Sequence, residues 1–264
     1  MIDMVQVTAV DGAAIGARRA GEAGPALVFV HGVGSTAAIW DRQLDALGCD
    51  FRCAAIELRG NGALPDPDPK TITRETFASD VVAVADALGF ERFTLVGCSL
   101  GGVIAFEVWK QAASRFEAMT IVGSFAVYPN ARQYAEGIVQ TVRAAGTMQA
   151  FAQQRAAKLG LPAQRLAETI EQMACKSVAC YEASTQATWT GDYRDVLKTI
   201  DVPTLVLCGE HDAVAPLALS QEIARGIAGS RLAIVPGAGH VANADAPERF
   251  NALLREFLID SRVA

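Results

Sequence analysis

Short apolar runs alternate with amphipathic stretches along most of the chain. Val5 to Thr8 and Ala13 to Arg18 flank Asp11-Gly12, a turn pair that predicts a β-hairpin at the start. Ala26 to Val30 is continuously apolar, the pattern of a strand covered on both faces of a parallel sheet. Ile39, Trp40, Leu44 and Leu47 recur at helical spacing, and Phe51 to Glu57 returns as strand. Thr73 stands where it can cap a helix whose apolar stripe is Phe77, Val81, Val84, Ala85 and Leu88, with Gly89 as the stop. Arg92 to Val96 reads as a buried strand, a helix runs from near Leu100 to about Ala113, and Phe116 to Val122 is the next strand. Pro203 to Cys208 and Arg231 to Val235 read as strands, and 216–226 and Pro247 to about Ile259 as helices. This alternation predicts an α/β fold, a mostly parallel eight-stranded sheet flanked by helices.

The rhythm lapses between Phe125 and Thr190, where three or four helices are predicted, broken near Gly146, near Gly160 with Pro162, and near Cys175. Its Ala, Gln and Arg content, with Phe151, Met173, Tyr181 and Trp189 spaced along the stretch, sets it apart from the strand-bearing segments. That composition suits a helical layer over a pocket more than a second core. The expected organisation is one core from 1–124 and 191–264, with 125–190 inserted as a helical cap. A loop rich in Gly and Pro, from Leu58-Arg59-Gly60-Asn61-Gly62 through Pro69, is too long for a tight turn and is expected to wall a cleft.

With 264 residues, 51% of them hydrophobic, the chain can fill a sizeable core. A formal net charge of -6 and the absence of a Lys/Arg run exclude nonspecific nucleic-acid binding. No run nears the roughly 18 to 20 apolar residues that span a membrane, and Met1-Ile2-Asp3-Met4 lacks the basic start of a signal peptide. The six cysteines have no zinc-ligand spacing and suit a reducing cytoplasm; Cys175 and Cys180 read as two thiols or, alternatively, a regulatory disulfide. The expected partners are a small-molecule substrate and water, with no membrane, no nucleic acid, no metal and no cofactor; a homo-oligomer stays open.

Chemistry concentrates on Gly97-Cys98-Ser99-Leu100-Gly101, between an apolar strand and a helix. A sharp turn there holds Ser99 in a strained conformation, lifts its hydroxyl clear of the sheet and aims the first helical amides at developing negative charge. A serine needs a base, and the chain has three histidines. His31 lies in a His-Gly turn and His211 in a Gly-Glu-His-Asp loop. His240 follows a strand in a glycine-rich loop able to place an imidazole over the sheet edge, and is the expected base. Asp212, after the strand ending at Cys208, is the expected carboxylate partner, with Glu210 and Asp245 as alternatives. The other position for an acid, after Val122, holds Gly123-Ser124.

The order Ser99, Asp212, His240, with His31-Gly32, Arg59-Gly60-Asn61-Gly62 and Gly97 to Gly102 each after a predicted strand, resembles the α/β-hydrolase superfamily over nearly the whole chain. The resemblance implies a Ser-His-Asp triad and an oxyanion hole from the amides of Val33 and Leu100, with His31 shaping that loop. Glu57 departs from the aspartate usual before the Arg-Gly loop, and Cys98 reads as a small buried filler. A serine nucleophile excludes the aspartate chemistry of dehalogenases and epoxide hydrolases. Trp189 through Asp192-Tyr193-Arg194 into Val202-Pro203-Thr204, and the Ile39-Trp40 helix, look most like the 3-oxoadipate enol-lactonase and cofactor-free haloperoxidase branch. This implies hydrolysis of a carboxylic ester or lactone through an acyl-enzyme. The alternatives are a carbon-carbon bond hydrolase of a β-diketone or ring-cleavage product, and a ligand sensor with little turnover. Trp40, Trp189 and Arg132 are the candidate substrate contacts, with Arg132 and Arg143 able to meet a substrate carboxylate together; Trp40 as plain core and the two arginines as solvated charges are the competing readings.

Overall fold

The computed structural model of the chain describes residues 1–62, 64–157 and 163–261. Eight strands form one sheet: β1 (Asp3–Thr8), β2 (Ala14–Ala20), β3 (Ala26–Val30), β4 (Arg52–Glu57), β5 (Phe93–Cys98), β6 (Phe116–Val122), β7 (Thr204–Gly209) and β8 (Arg231–Val235). Their spatial order is β1-β2-β4-β3-β5-β6-β7-β8. Only the β1-β2 and β2-β4 pairings are antiparallel, as the early hairpin requires, and Gly12 supplies the positive φ of its turn. Every residue of β3, β5 and β7 is buried, which is why these strands are apolar runs rather than alternating ones.

The helices are α1 (Asp41–Leu47), α2 (Arg74–Ala87), α3 (Leu100–Ala112), α4 (Ala131–Ala145), α5 (Met148–Ala156), α6 (Ala163–Ala174), α7 (Val178–Trp189), α8 (Arg194–Leu197), α9 (Leu217–Gly226), α10 (Ala242–Asp245) and α11 (Pro247–Asp260). One face of the sheet packs on α2, α3 and α9 through side chains such as Phe77, Ile104 and Ile223. The other packs on α1 and α11 through Leu44, Phe250 and Leu254. Each fully buried side chain of this size contributes roughly 1.5–3 kcal/mol by leaving water. Thr73 caps α2 by accepting the Thr76 amide at 3.1 Å.

Helices α4 to α7, followed by the single turn of α8, lie between β6 and β7. The chain breaks at Gly146, whose φ is +75°, and at Cys175; the break expected at Gly160 and Pro162 lies outside the described residues. Val142, Met148, Phe151, Met173 and Tyr181 form a small apolar cluster within this layer, while Ala135, Cys180 and Trp189 join the main core beneath it. Thr147 and Ser177 cap α5 and α7. Cys175 is exposed, Cys180 is buried, and both are free thiols. Among the described residues no helix is long and apolar enough to cross a membrane.

A buried ion network holds the loop after β4. Arg59, its side chain 2% exposed, donates to Asp80 of α2 at 2.6 and 2.7 Å and to Asp11 of the hairpin turn at 2.7 Å. The forked guanidinium thus ties three elements that the chain order separates.

Candidate active site

Ser99 sits between β5 and α3 with φ 55° and ψ −115°. A non-glycine residue held there costs on the order of 1–3 kcal/mol and persists only when its surroundings enforce it. Here they do. Its amide donates to the Val122 carbonyl at 2.9 Å, and its own carbonyl accepts from the Gly102 amide at 2.9 Å and the Ser124 hydroxyl at 2.8 Å. A side chain at Gly97 would run into the carbonyl of Gly101 across this turn, so the elbow closes only with glycine there.

His240, in the loop after β8, faces the same cavity as Ser99. Its Nδ1 lies 2.9 and 3.0 Å from the two Asp212 oxygens. An ionised carboxylate only accepts hydrogen bonds, so Nδ1 carries a proton; in the neutral ring that leaves the lone pair on Nε2. The Asp212 carboxylate is fully buried and also accepts the Val214 and Ala215 amides at 2.9 and 2.8 Å. It therefore shapes its own turn as well as orienting the imidazole. Gly123, after β6, lies against both: a Cβ there would sit 2.9 Å from the Asp212 carboxylate and 3.3 Å from the His240 ring. The alternative acids brace the histidine loop instead. Glu210 accepts the Gly237 amide at 2.8 Å and Asp245 the Gly239 amide at 3.0 Å, while His211 is exposed.

Val33, in the loop after β3, lines the cavity beside Ser99, and the Leu100 amide stands in the first turn of α3, where helical amides have no partner within the helix. Behind this loop His31 is buried. The Leu58 amide donates to its Nε2 at 3.2 Å, so Nδ1 carries the proton and donates to the Gly32 carbonyl at 2.8 Å. The Glu57 carboxylate lies 3.3 Å from Nε2 and accepts the Ala37 amide, which gives the glutamate a structural task at this position. The loop also touches α6: the Ser35 hydroxyl donates to Gln172 at 2.8 Å, and Gly34 packs so closely on Met173 that a Cβ would lie 2.8 Å from its methyl.

Ser99, His240, Val33 and Trp189 surround one cavity of about 60 Å³, with Asp212 behind the imidazole. Trp189 is stacked on Phe125, with ring centroids 5.1 Å apart, and meets Tyr128 and Tyr134 edge-on. Trp40 is elsewhere. It is fully buried on the opposite face of the sheet, between Phe29 and Phe250 at 5.2 and 6.0 Å, because the apolar stripe that carries it packs on the sheet and α11. Arg132 is exposed on α4 and lines neither cavity, and Arg143 is tied to Glu182 by two 2.7 Å bonds; both project from the solvent side of an amphipathic helix. The basic residue that does reach the site is Arg155 of α5. It also lines a second cavity of about 520 Å³ between α4 and α5, with Tyr134, Ile138 and Phe151. Nothing in the sequence around Arg155 separates it from the other two arginines.

Residues 25–247 match the family described as alpha/beta hydrolase fold. The chain is 27% identical to 3-oxoadipate enol-lactonase 1 of Acinetobacter baylyi over 245 residues, covering 90% of each chain. It is 26% identical to a Rhizobium rhizogenes protein provisionally designated carbamate hydrolase RutD, covering 88% of this chain and 92% of that one. The enol-lactonase structure from Burkholderia xenovorans LB400 superposes with a TM-score of 0.87 at 25% identity, over 97% of this chain and all of the other. An enzyme of the hydrolase class fits each of these likenesses and the eight-stranded topology, and the chain belongs to the alpha/beta hydrolase fold family.

Proposed function

We propose that the protein is a serine hydrolase of small carboxylic esters or lactones, working through Ser99, His240 and Asp212. The observation that carries this reading is the His240–Asp212 pair at 2.9 Å, in the cavity of a serine held at positive φ. His240 Nε2 takes the proton of Ser99 as Oγ adds to the substrate carbonyl. The negative charge moves to the former carbonyl oxygen, where the amides of Val33 and Leu100 donate to it, each such donor contributing roughly 2.7–4 kcal/mol to the transition state. The tetrahedral species collapses by breaking the ester C–O bond, and His240 returns the proton to the leaving oxygen; in a lactone that oxygen stays tethered to the acyl group. Water, deprotonated by His240, then adds to the acyl-Ser99 carbonyl; the second tetrahedral species breaks its bond to Ser99 Oγ, His240 returns the proton to that oxygen, and the acid leaves. The buried Asp212 stabilises the imidazolium in both half-reactions.

In this reading, 125–190 act as a cap over the site, and the exposed free thiols of Cys49 and Cys175 suit a reducing cytoplasm. Relatives named for enol-lactone and carbamate hydrolysis support addition to a carbonyl whose leaving group is a heteroatom. The test is a panel of p-nitrophenyl esters, enol-lactones and β-diketones. Turnover of esters or lactones is expected, falling roughly 10⁴-fold or more in Ser99→Ala. Undiminished activity in that variant, or faster cleavage of the diketones, overturns the assignment.

A further inference from the structure

Most arginines of this protein have partners. Among the described residues, Arg42, Arg132, Arg155, Arg225 and Arg249 make no side-chain hydrogen bond or ion pair, and four of these are exposed to water, which solvates them. Arg155 is the exception, half-buried and lining both the cavity at Ser99 and the larger one between α4 and α5. A guanidinium partly withdrawn from water without an anion is costly unless a ligand supplies one.

The two cavities narrow the class of ligand. Among the described residues, no aspartate or glutamate lines either of them, and Arg155 is their one lysine or arginine. His240 must be neutral to act as a base, and Asp212 is already committed to it. The site therefore offers one uncompensated positive charge in a planar fork of N–H donors, the match for a single carboxylate. A phosphate monoester brings about −1.5 to −2 charges and would leave part of its charge without a partner. Tyr134, Ile138 and Phe151 line the same space and give an apolar bed for the chain between the charged end and the reacting carbonyl.

We propose that Arg155 is the specificity-determining residue of the site, selecting esters or lactones that carry a carboxylate away from the scissile carbonyl. The charged end lies toward the cavity between α4 and α5 while the carbonyl reaches Ser99, so the inference rests on the acyl-transfer reading above. Arg132 and Arg143 are excluded from this task by their exposure and by the Glu182 pairing.

The experiment compares p-nitrophenyl hemiglutarate and hemiadipate, which are monoanions, with their neutral methyl esters. The wild type is expected to favour the anions in kcat/KM. Arg155→Met lowers the anion-to-neutral ratio on the order of 10- to 100-fold, chiefly through KM, as removal of a charged hydrogen-bonding partner does. Arg155→Lys recovers part of the ratio, since it keeps the charge and loses the fork. Arg225→Met on α9 removes a cation outside both cavities and leaves the ratio where it was. An unchanged ratio in Arg155→Met, or a preference for a phosphate-bearing ester over the hemiesters, overturns the proposal. Binding of hemiadipate to Ser99→Ala, followed by calorimetry with and without Arg155→Met, reads the arginine apart from turnover. A loss of affinity there, in a protein whose wild type hydrolyses none of the esters, upholds Arg155 and sinks the hydrolase reading. Unchanged affinity beside intact wild-type turnover sinks Arg155 alone.

Discussion

Asp212 serves a turn and an imidazole with the same carboxylate, and the two tasks respond differently to substitution. Asp212→Asn keeps an amide oxygen able to accept from Val214 and Ala215 but loses the charge that stabilises the His240 cation and fixes its tautomer. A fall in kcat of roughly 10⁴-fold is expected with little change in Tm; kcat within tenfold of wild type would remove Asp212 from the catalytic role. These residues were legible because each follows an apolar strand, and in an open parallel sheet the segments leaving the carboxyl ends of strands meet along one edge. Ser99 needed only its flanking glycines to be noticed. Trp40 and Arg155 were not legible, for related reasons. The helical spacing of Trp40 marks a buried stripe without saying which layer buries it, and the side Arg155 faces depends on the angle at which α5 folds back from α4 at Gly146, which periodicity within either helix does not encode.

Between elements, a buried polar tie runs through Arg59, which joins the loop after β4 to α2 and to the first hairpin. Burial pushes the Asp80 carboxyl up, and the two bonds from Arg59 oppose that. In Arg59→Met this opposition is gone while Asp80 stays buried at 1% exposure, so a loss of about 3–5 kcal/mol is expected in denaturant unfolding at neutral pH. With its folded-state pKa above the unfolded one, the lone Asp80 is accommodated when protonated, and the penalty grows as pH rises out of the acid range. Arg59→Met with Asp80→Asn should recover much of the loss; a double variant as unstable as the single one would show that packing of the arginine stem matters more than the charges. The strands and the longer helices were readable because apolar runs and stripes are local. The short helices α8 and α10 were not, since a single turn bounded by loops leaves too few positions to form a stripe.

Across the molecule, the seam between the α4–α7 layer and the sheet carries an unusual charge. Lys176, between α6 and α7, is buried, donates to the Gln172 carbonyl at 2.9 Å, and has its ammonium pKa pushed down by that burial, against the opposing influence of Cys175 and Glu57. A lysine whose folded-state pKa lies below its unfolded value, about 10.4, penalises folding while it is charged, and the penalty fades as pH climbs through the folded value toward the unfolded one. Lys176→Met is therefore expected to melt higher than wild type at pH 7, with the gap narrowing by pH 10. A gap that widened with pH would mean that the charge is welcome at this seam. The strand rhythm stops at this stretch, which is what points to a helical layer there; the burial of Lys176 has no signature in that rhythm.

The bond from Ser35 to Gln172, and the close seat of Gly34 on Met173, bind the loop bearing Val33 to α6, of which no described residue lines the cavity at Ser99. A helix outside the pocket wall is thereby linked to the placement of the Val33 amide, the proposed donor to the reacting oxygen. A lineage that altered α6 would disturb the Val33 amide in the same step. Divergence of this layer should then proceed by paired changes, one in α6 and one in the loop after β3, rather than by free exchange of helices among relatives.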